Sequence, residues 1–270
     1  MAATLQAPEE APRRDGDGRH PAPLLAYLGS GAPDRVALLD HLPDLAAHLS
    51  PATAERARSA AVAPVLRIEA GAWDPATTPL PVPGRTLGMV VLDGVLTRTV
   101  AIEGRGACEL IGPGDVIDPV GSADAVASLE TETKWNALEG VTLAVLGGPF
   151  LRAAGQFPDL LAALLERGID RSRNIAAQLA IARARRAEDR VRRLFWHMAD
   201  RWGRVTPAGT VVPLRFTHAV IGELVCLRRP SVTTALCQLA DSGELTRRFD
   251  GTWLLARPGP SPRRIEAMDH

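Results

Sequence analysis

The 270-residue chain is poor in the side chains that most often bind metals and redox groups. Its three cysteines, Cys108, Cys226 and Cys237, show no C-x-x-C spacing, and no histidine lies between His48 and His197. These spacings argue against structural zinc, an iron–sulfur cluster and a disulfide framework. We therefore expect free thiols, no metal and no cofactor.

Long apolar runs are also missing. No segment reaches the ~18 apolar residues needed to span a membrane, and the N-terminus has no apolar segment typical of a signal peptide. Apolar residues still make up 46% of the chain and charged residues 23%, which is typical of a folded protein with a core. The sequence predicts a cytoplasmic protein long enough for two domains.

Lysine is nearly absent: Lys134 is the only one, which we interpret as genomic base bias rather than function. The net charge is zero, but residues 171–270 hold 18 arginines against nine Asp and Glu. Residues 1–170 hold 13 Lys and Arg against 22 Asp and Glu. This asymmetry suggests an anionic partner for the C-terminal part, and a simply solvated arginine-rich surface is the alternative.

The N-terminal half reads as a small β domain preceded by a tail. Residues 1–23 are rich in Pro, Gly and charge, so we expect a disordered tail there. Two short helices should follow, one over roughly 34–48 and one starting at Ser50-Pro51. Short apolar segments with turns between them then run from Val65 to Leu146. They predict a sandwich or barrel, with the whole domain at 24–155.

Turn residues place the strands of this domain. Asp93-Gly94 separates two apolar runs in LGMVVLDGVLTRTV and predicts a hairpin. GPGD at 112–115 is a second tight turn, and VTLAVLGG at 141–148 is a further strand with a glycine stop. Asp115 and Asp118 are interpreted as turn residues because Gly and Pro surround them.

Helical periodicity dominates the segment from Pro158 to Trp202. The pattern predicts a long helix over 156–186 and a break near Ala187. A helix of ~28 residues would measure ~42 Å. This length exceeds what an 80-residue barrel can bury, so pairing with the helix of a second subunit is expected. A helix folded back on its own domain is the alternative.

The segment 187–258 has the element order of a winged helix-turn-helix. A helix at 217–225 begins at the capping residue Thr217, a second helix opens with RRPSV, and two strands turn at Asp250-Gly251. Residues 259–270 form a second tail. Gly222 is the small residue needed where the two helices cross, and Val232 is the anchor ten residues later. Generic packed helices are the alternative interpretation.

One residue departs from the helix-turn-helix pattern. Cys226 stands in the turn, where glycine usually adopts a positive φ angle. The apolar positions Ile221, Leu224, Val225, Leu236 and Leu239 predict the core, which leaves Arg229, Pro230, Thr233 and Thr234 on the opposite face.

Nearly the whole chain after residue 24 resembles the Crp/Fnr superfamily of bacterial transcription regulators. The most specific segment is IGELVCLRRPSVTTALCQLADSGELTRR, and RVRRLFWHMADRWG (190–203) resembles the helix after the dimerisation helix. The resemblance implies an α+β fold. Its parts are an N-terminal jelly-roll β-barrel of the cyclic-nucleotide-binding type, a long dimerisation helix and a C-terminal winged helix-turn-helix.

The resemblance also implies a set of DNA contacts. Arg229 matches the arginine that reads guanine through its O6 and N7 atoms. Pro230 and Thr234 replace the glutamate and the arginine frequent in the family, so a different base sequence is expected. Contacts to phosphates or bases are implied for Arg228, Ser231 and Thr233, and contacts to phosphates for Arg247 and Arg248.

In function, the resemblance implies a homodimeric, sequence-specific regulator in the bacterial cytoplasm, associated with the nucleoid, and not an enzyme. Its partners would be double-stranded DNA, a second copy of the chain and RNA polymerase, and the effector is unknown. The operator would be near-palindromic, since two recognition helices are related by a two-fold axis.

The cyclic-nucleotide cassette of the family is degenerate in this sequence. After Gly114-Asp115 no Gly-Glu pair follows, and no arginine lies between Arg105 and Arg152. Glu130 and Glu132 stand near the position of the phosphate-binding arginine, and a phosphate buried near carboxylates is unfavourable. Lys134 is the only substitute cation, although an exposed strand-edge lysine is its expected role. We therefore expect no control by cyclic AMP in the usual way.

Other functions remain open for the barrel. It could bind a cyclic nucleotide or another small ligand through an atypical pocket, bind a partner protein, or serve only as a dimerisation scaffold. A further functional class is a ligand sensor that does not bind DNA and acts through a protein partner. A barrel metalloenzyme is disfavoured, because its usual histidine ligands are missing.

Overall fold

The computed structural model describes residues 34–82, 84, 86–119 and 130–256. All of these belong to one structural unit, Pro33–His270. The tails predicted at 1–23 and 259–270 lie outside the described residues.

The first elements differ from the prediction. Instead of one helix over 34–48, the chain forms strand β1 (Arg35–Ala37), helix α1 (Leu38–His41) and a 3-10 turn (Pro43–Ala46). Strand β1 pairs with β2 (Val62–Ile68), and Pro43, which has no N–H to donate, stands at the start of the 3-10 turn. The second helix is confirmed as α2 (Pro51–Ala60), and the Ser50 hydroxyl accepts from the Thr53 amide at 3.2 Å.

Two antiparallel sheets form the predicted β domain. The remaining strands are β3 (Gly71–Trp73), β4 (Thr86–Asp93), β5 (Leu96–Ile102), β6 (Arg105–Ile111), β7 (Val116–Ile117), β8 (Glu132–Ala137) and β9 (Val141–Gly147). One sheet has the order β1-β2-β9-β4-β7 and the other β3-β8-β5-β6. Apolar side chains of both sheets meet in a common core, among them Trp73, Met89, Leu96, Ile111, Trp135 and Leu143.

The hairpin predicted at Asp93-Gly94 is wrong. Strands β4 and β5 do not pair with each other, because β4 pairs with β9 and β7, and β5 pairs with β6 and β8. The turn instead carries the chain from one sheet to the other. Gly94 has φ +83°, and a β-carbon there would lie 2.3 Å from the Gly140 carbonyl oxygen. The close approach of the two loops therefore requires glycine.

Helices cover the outer face of the five-stranded sheet. Helix α3 (Gly148–Ala154) and the first turns of α4 (Pro158–Ala182) pack there with α1 and α2. Pro158 stands in the first turn of α4, as predicted. The predicted break is confirmed, because α4 ends at Ala182 and α5 (Ala187–Trp202) begins at the predicted residue.

The C-terminal part is a helix-turn-helix with a four-stranded sheet. Helices α6 (His218–Val225) and α7 (Arg229–Asp241) are followed by β12 (Leu245–Arg247) and β13 (Trp253–Leu255). The strands β10 (Arg204–Thr206) and β11 (Gly209–Val212) extend the wing to the order β10-β11-β13-β12. These two strands are not evident from the sequence, because they are short and mostly half-exposed. β10 is held by pairing with β11, and β11 by pairing with β13.

The core of the C-terminal part continues into the barrel. Leu194, Phe195, Val225 and Trp253 belong to the same apolar cluster as Val95, Cys108 and Leu110 of the barrel strands and their turn. No described helix combines the length and the apolar character that a membrane crossing needs.

Candidate nucleic-acid interface

The two helices of the helix-turn-helix cross at Gly222. A β-carbon there would lie 2.6 Å from the Leu227 carbonyl oxygen and 3.6 Å from Cγ2 of Val232. Only glycine allows this approach, which confirms the interpretation of Gly222 and Val232. The predicted core residues are all buried: Ile221, Leu224, Val225, Val232, Leu236 and Leu239.

The turn between the helices is held from outside. Cys226 has φ 53° and ψ 48°, the left-handed conformation expected for the turn. The Arg190 guanidinium of α5 donates to the carbonyl oxygens of Val225 and Cys226 at 3.2 and 3.4 Å and to that of Ala184 at 2.7 Å. It thus binds carbonyls that the end of α6 leaves free. Arg190 was not predicted, because its partners in the turn, Val225 and Cys226, lie 35 and 36 residues further along the chain.

Both helices begin in the predicted manner. The Thr217 hydroxyl caps α6 by accepting from the Val220 amide at 3.2 Å. Helix α7 begins at Arg229 without a side-chain cap, and Pro230 stands in its first turn. A proline costs little in that turn, because the amides there have no intrahelical acceptor.

All predicted contact residues lie on the surface. The structure brings six of them together at the start of α7, on the face opposite the core, and two on the wing. Those on the helix are Arg228, Arg229, Pro230, Ser231, Thr233 and Thr234, those on the wing are Arg247 and Arg248, and every one is exposed.

The threonine hydroxyls of α7 are engaged with the helix backbone. Thr233 donates to the Arg229 carbonyl oxygen at 3.1 Å, and Thr234 donates to that of Pro230 at 3.2 Å. His218 Nδ1 lies 2.9 Å from the Thr233 hydroxyl oxygen, which can therefore accept from it. His218 joins α6 to the exposed face of α7 and was missed. Its position directly after the capping Thr217 was the available signal.

The wing arginines have different surroundings. The Arg247 guanidinium lies over the Trp253 ring, 5.8 Å from its centroid. Arg248 Nη1 lies 3.7 Å from an oxygen of Asp250. The hydroxyl and amide of Thr252 donate to Asp250 and lower the pKa of its carboxyl group. Among the described residues, no carboxylate therefore lies within 4 Å of the Arg247 guanidinium, whereas Arg248 shares its charge with Asp250.

A cleft of about 490 Å³ joins the two helices and the wing. Its lining comprises the start of α6, the start of α7 and strand β12, through Thr217, His218, Ala219, Arg229 and Arg247. Two arginines and the first residues of a helix thus line one opening. This combination of charge and donors suits a phosphate oxygen.

Part of the C-terminal positive charge is used inside the molecule. Arg192 contacts Glu188 and Asp189 on its own helix and Glu244 beyond α7. Arg201 pairs with Asp115 of the barrel. The charge asymmetry of the sequence therefore overstates the charge available to an anionic partner, and the exposed arginines of α7 and the wing are among those that remain for it.

The barrel turn at 112–115 supports the C-terminal part. Asp115 accepts from the Gly112 amide, which forms the turn as predicted, and also from Arg201. Glu132 pairs with Lys134 at 2.9 Å, and both are exposed. Lys134 lies on β8, an inner strand of its sheet rather than an edge strand. Residues 120–129 of the cassette region lie outside the described residues.

A cluster of ionic groups lies where β5, β6 and α4 meet. Glu109 accepts from Arg171 at 2.8 and 2.9 Å and pairs with Arg98 at 3.0 Å. Burial lowers the pKa of Arg98, and its Nε has no partner. Two guanidinium groups share one carboxylate, so the cluster keeps one positive charge. Within the described ranges, no group of three or more His, Cys, Asp or Glu could hold a metal ion.

Three solved structures share this architecture. A CooA variant from Carboxydothermus hydrogenoformans is 17% identical with a TM-score of 0.53, and the match covers 72% of this chain and 83% of CooA. FixK2 from Bradyrhizobium japonicum is 19% identical with a TM-score of 0.51, with 72% and 93% covered. A cyclic nucleotide-binding domain containing protein from Listeria monocytogenes is 14% identical with a TM-score of 0.57, with 80% and 98% covered.

The chain shares the fold of these three structures. The predicted fold class is therefore confirmed. No protein-family model matches the chain, and no curated protein matches it. The likeness accordingly concerns architecture, and the contact residues of α7 and the wing stay predictions.

Proposed function

We propose that the protein is a sequence-specific, DNA-binding transcription regulator that acts as a homodimer in the bacterial cytoplasm. Helix α7 would read the major groove, and RNA polymerase would be the protein partner. The observation that carries this proposal is the exposed, preformed start of α7, where Arg228 and Arg229 are exposed and Arg229 lines one cleft with Arg247 of the wing.

The geometry of α7 fits a reading helix. Its inner face is fixed by Val232, Leu236 and Leu239, so its outer face is rigid. Arg229 stands in the first turn and is exposed, and its side chain makes no hydrogen bond or ion pair with the part of the chain that the structure describes. An arginine free to reach a guanine O6/N7 pair from a rigid helix is the expected source of specificity. Pro230 and Thr234 limit the polar contacts that surround it.

The wing and the cleft would fix the register on the duplex. Arg247 lines the same cleft as Arg229, so a phosphate could be held between them. Arg248 would contribute less, because Asp250 already lies near it. Phosphate contacts of this kind give affinity that falls steeply with salt and carries no sequence information.

A stripe on α4 supports the homodimer. Its positions recur at alternating steps of three and four residues and are all exposed, and we name them the α4 stripe: Ala162, Leu165, Ile169, Ser172, Ala176 and Leu179. Leu165 is 61% exposed, Ile169 52% and Leu179 51%. This is the spacing of a coiled-coil seam, which is self-complementary, so a second copy is the occupant that fits it.

The experiment that tests the proposal is selection of bound duplexes from a random pool by the full chain. We expect a near-palindromic site with half-sites about one helical turn (~34 Å) apart. Affinity for this site should exceed that for random duplex by at least about a thousandfold at physiological salt. Enrichment of no sequence after repeated rounds would contradict the proposal.

A second candidate, a ligand-responsive regulator or a sensor that acts through a protein partner, is favoured by one cavity. It measures about 220 Å³ and lies between β5, β6, α4 and α6, with Arg98, Glu109 and Gln178 among its lining residues. Gln178 donates to the Cys108 carbonyl oxygen at 2.7 Å and thereby joins α4 to the barrel.

Calorimetric titration separates the candidates. Cyclic AMP and cyclic GMP are expected to give no heat, because no arginine stands in the cassette to hold the phosphate. Micromolar binding of either nucleotide would favour the ligand-responsive candidate, and loss of that binding on Arg98→Met would place the ligand in this cavity.

A further inference from the structure

The end of the wing presents one aromatic side chain to solvent. Phe249 is 99% exposed, whereas the other four phenylalanines of the chain are buried: Phe150, Phe157, Phe195 and Phe216. A single exposed apolar residue is common on protein surfaces. The order of its turn, the charge beside it and its place next to α7 set Phe249 apart.

The turn that carries Phe249 is ordered by hydrogen bonds. The Arg248 amide donates to the Thr252 carbonyl oxygen at 2.8 Å, and the Gly251 amide donates to that of Arg248 at 3.0 Å. Gly251 has φ +85°, which is the left-handed residue of a three-residue hairpin loop. The Asp250 carboxylate accepts from Thr252 inside the turn. The ring therefore extends from a fixed support.

The charge around the ring favours a polyanion. Arg247 and Arg248 directly precede Phe249 in the chain, and both are exposed. The carboxylate of the next residue, Asp250, accepts from Thr252 and lies 3.7 Å from Arg248. A nucleic acid could thus approach the tip without meeting an unpaired negative charge from Asp250. An acidic protein surface would need a matching apolar pocket as well.

The position of the tip selects a groove. Arg247 lines the cleft shared with Arg229, so it would meet the phosphate strand that borders the major groove under α7. On a duplex, the minor groove lies on the other side of that strand. Phe249 is two residues further along the wing, and its side chain is free to enter there.

On the basis of the DNA-binding function proposed above, we propose that Phe249 is a minor-groove wedge. Its ring would press between two base pairs beside the half-site and partly unstack them, as inserted apolar side chains do when they kink a duplex. Pyrimidine–purine steps unstack most easily. Phe249 would therefore impose a preference for TA or CA/TG at this step without any hydrogen bond to a base.

The test uses the full chain and the duplex that it selects from a random pool. 2-Aminopurine replaces a base at the flanking step, and bending is followed by circular-permutation gels. With the wild type, fluorescence should rise on binding and the duplex should bend. Phe249→Ala should abolish both effects and weaken binding roughly 5- to 150-fold, the range for loss of base–aromatic stacking. Phe249→Trp should retain both effects.

Val205 provides the matched control. It is 89% exposed and lies on β10, at the opposite edge of the same four-stranded sheet from β12. Val205→Ala removes exposed apolar surface far from α7 and should bind like the wild type. Equal losses of DNA affinity for Phe249→Ala and Val205→Ala would contradict the wedge, because the cause would then be a disturbed sheet rather than the missing ring.

The outcomes separate the wedge from the function on which it rests. If the wild type selects a site but Phe249→Ala binds and bends it unchanged, the wedge is wrong and the regulator proposal stands. If that variant binds unchanged but loses transcription with RNA polymerase, the ring contacts protein, which also overturns the wedge. If the wild type selects no site, the proposed function fails and the wedge fails with it.

Discussion

Asp115 of the barrel accepts two hydrogen bonds from Arg201 of α5, at 2.6 and 2.7 Å. Asp115 is only 6% exposed, and the next residue of the helix, Trp202, donates to the Pro113 carbonyl oxygen at 3.3 Å. Two residues 86 positions apart in the sequence thus fix the C-terminal part against the barrel. This contact is therefore one of the places where a change in the barrel could reach the C-terminal part.

Asp115→Asn should destabilise the protein by about 3 kcal/mol, because it leaves the Arg201 guanidinium in a buried site without a charged partner. Urea unfolding measures the change. Glu132→Gln is the control, since its ion pair with Lys134 is exposed and should matter by less than about 0.5 kcal/mol. Similar losses for both variants would mean that the Asp115–Arg201 pair is not buried in solution.

Cys226→Gly should stabilise the protein by about 0.5 kcal/mol. Glycine relieves the strain of a positive φ angle and loses somewhat more chain entropy on folding. Cys226→Ala is the matched control, because alanine keeps a β-carbon and gains none of this relief. Thermal unfolding compares the two, and a larger gain for alanine would show that the thiol rather than the backbone sets the cost.

The three thiols should react very differently with iodoacetamide at about pH 8. Cys226 and Cys237 are exposed, whereas Cys108 is buried, and burial raises the pKa of its thiol to about 12. Mass spectrometry should find Cys226 and Cys237 modified and Cys108 modified only after denaturation. Modification of Cys108 in the native protein would show that β6 and α6 separate readily.

Ile169→Glu should convert the proposed homodimer to a monomer, because it places a charge in the centre of the α4 stripe. Sedimentation velocity measures the change in mass. Ile102→Glu makes the same substitution at a residue of the barrel that is 42% exposed, and it should leave the dimer intact. A dimer that survives Ile169→Glu would place the interface elsewhere.

Local pattern and long-range pairing were predictable to different degrees. The helix-turn-helix could be predicted because its pattern is local: Gly222, the small residue at the crossing, and Val232, the anchor on the second helix, lie only ten residues apart. The Asp93-Gly94 turn predicted the wrong strand pairing. β4 pairs with β9, some 50 residues later, and the residues of a local turn do not determine that pairing. Arg190 and Arg201 were missed for the same reason, since their partners are distant in sequence.

The predicted contact residues could be named from the sequence, because exposure on α7 follows from its apolar face. Their hydrogen bonds and ion pairs could not be predicted from the sequence. The engagement of Thr233 with His218, and the nearness of Arg248 to Asp250, depend on how the wing and α6 pack beside α7. These contacts rank Arg247 above Arg248 as a phosphate ligand, which the sequence pattern alone does not do.

The most direct test of a DNA-reading function is the affinity of Arg229→Ala and Arg247→Ala for the selected site and for random duplex. Arg229→Ala should lose about 10- to 100-fold on the selected site, with discrimination at one base pair abolished and little change on random duplex. Arg247→Ala should weaken both alike and reduce the salt slope by about one. Equal losses on both duplexes for Arg229→Ala would contradict the assignment of α7 as the reading helix.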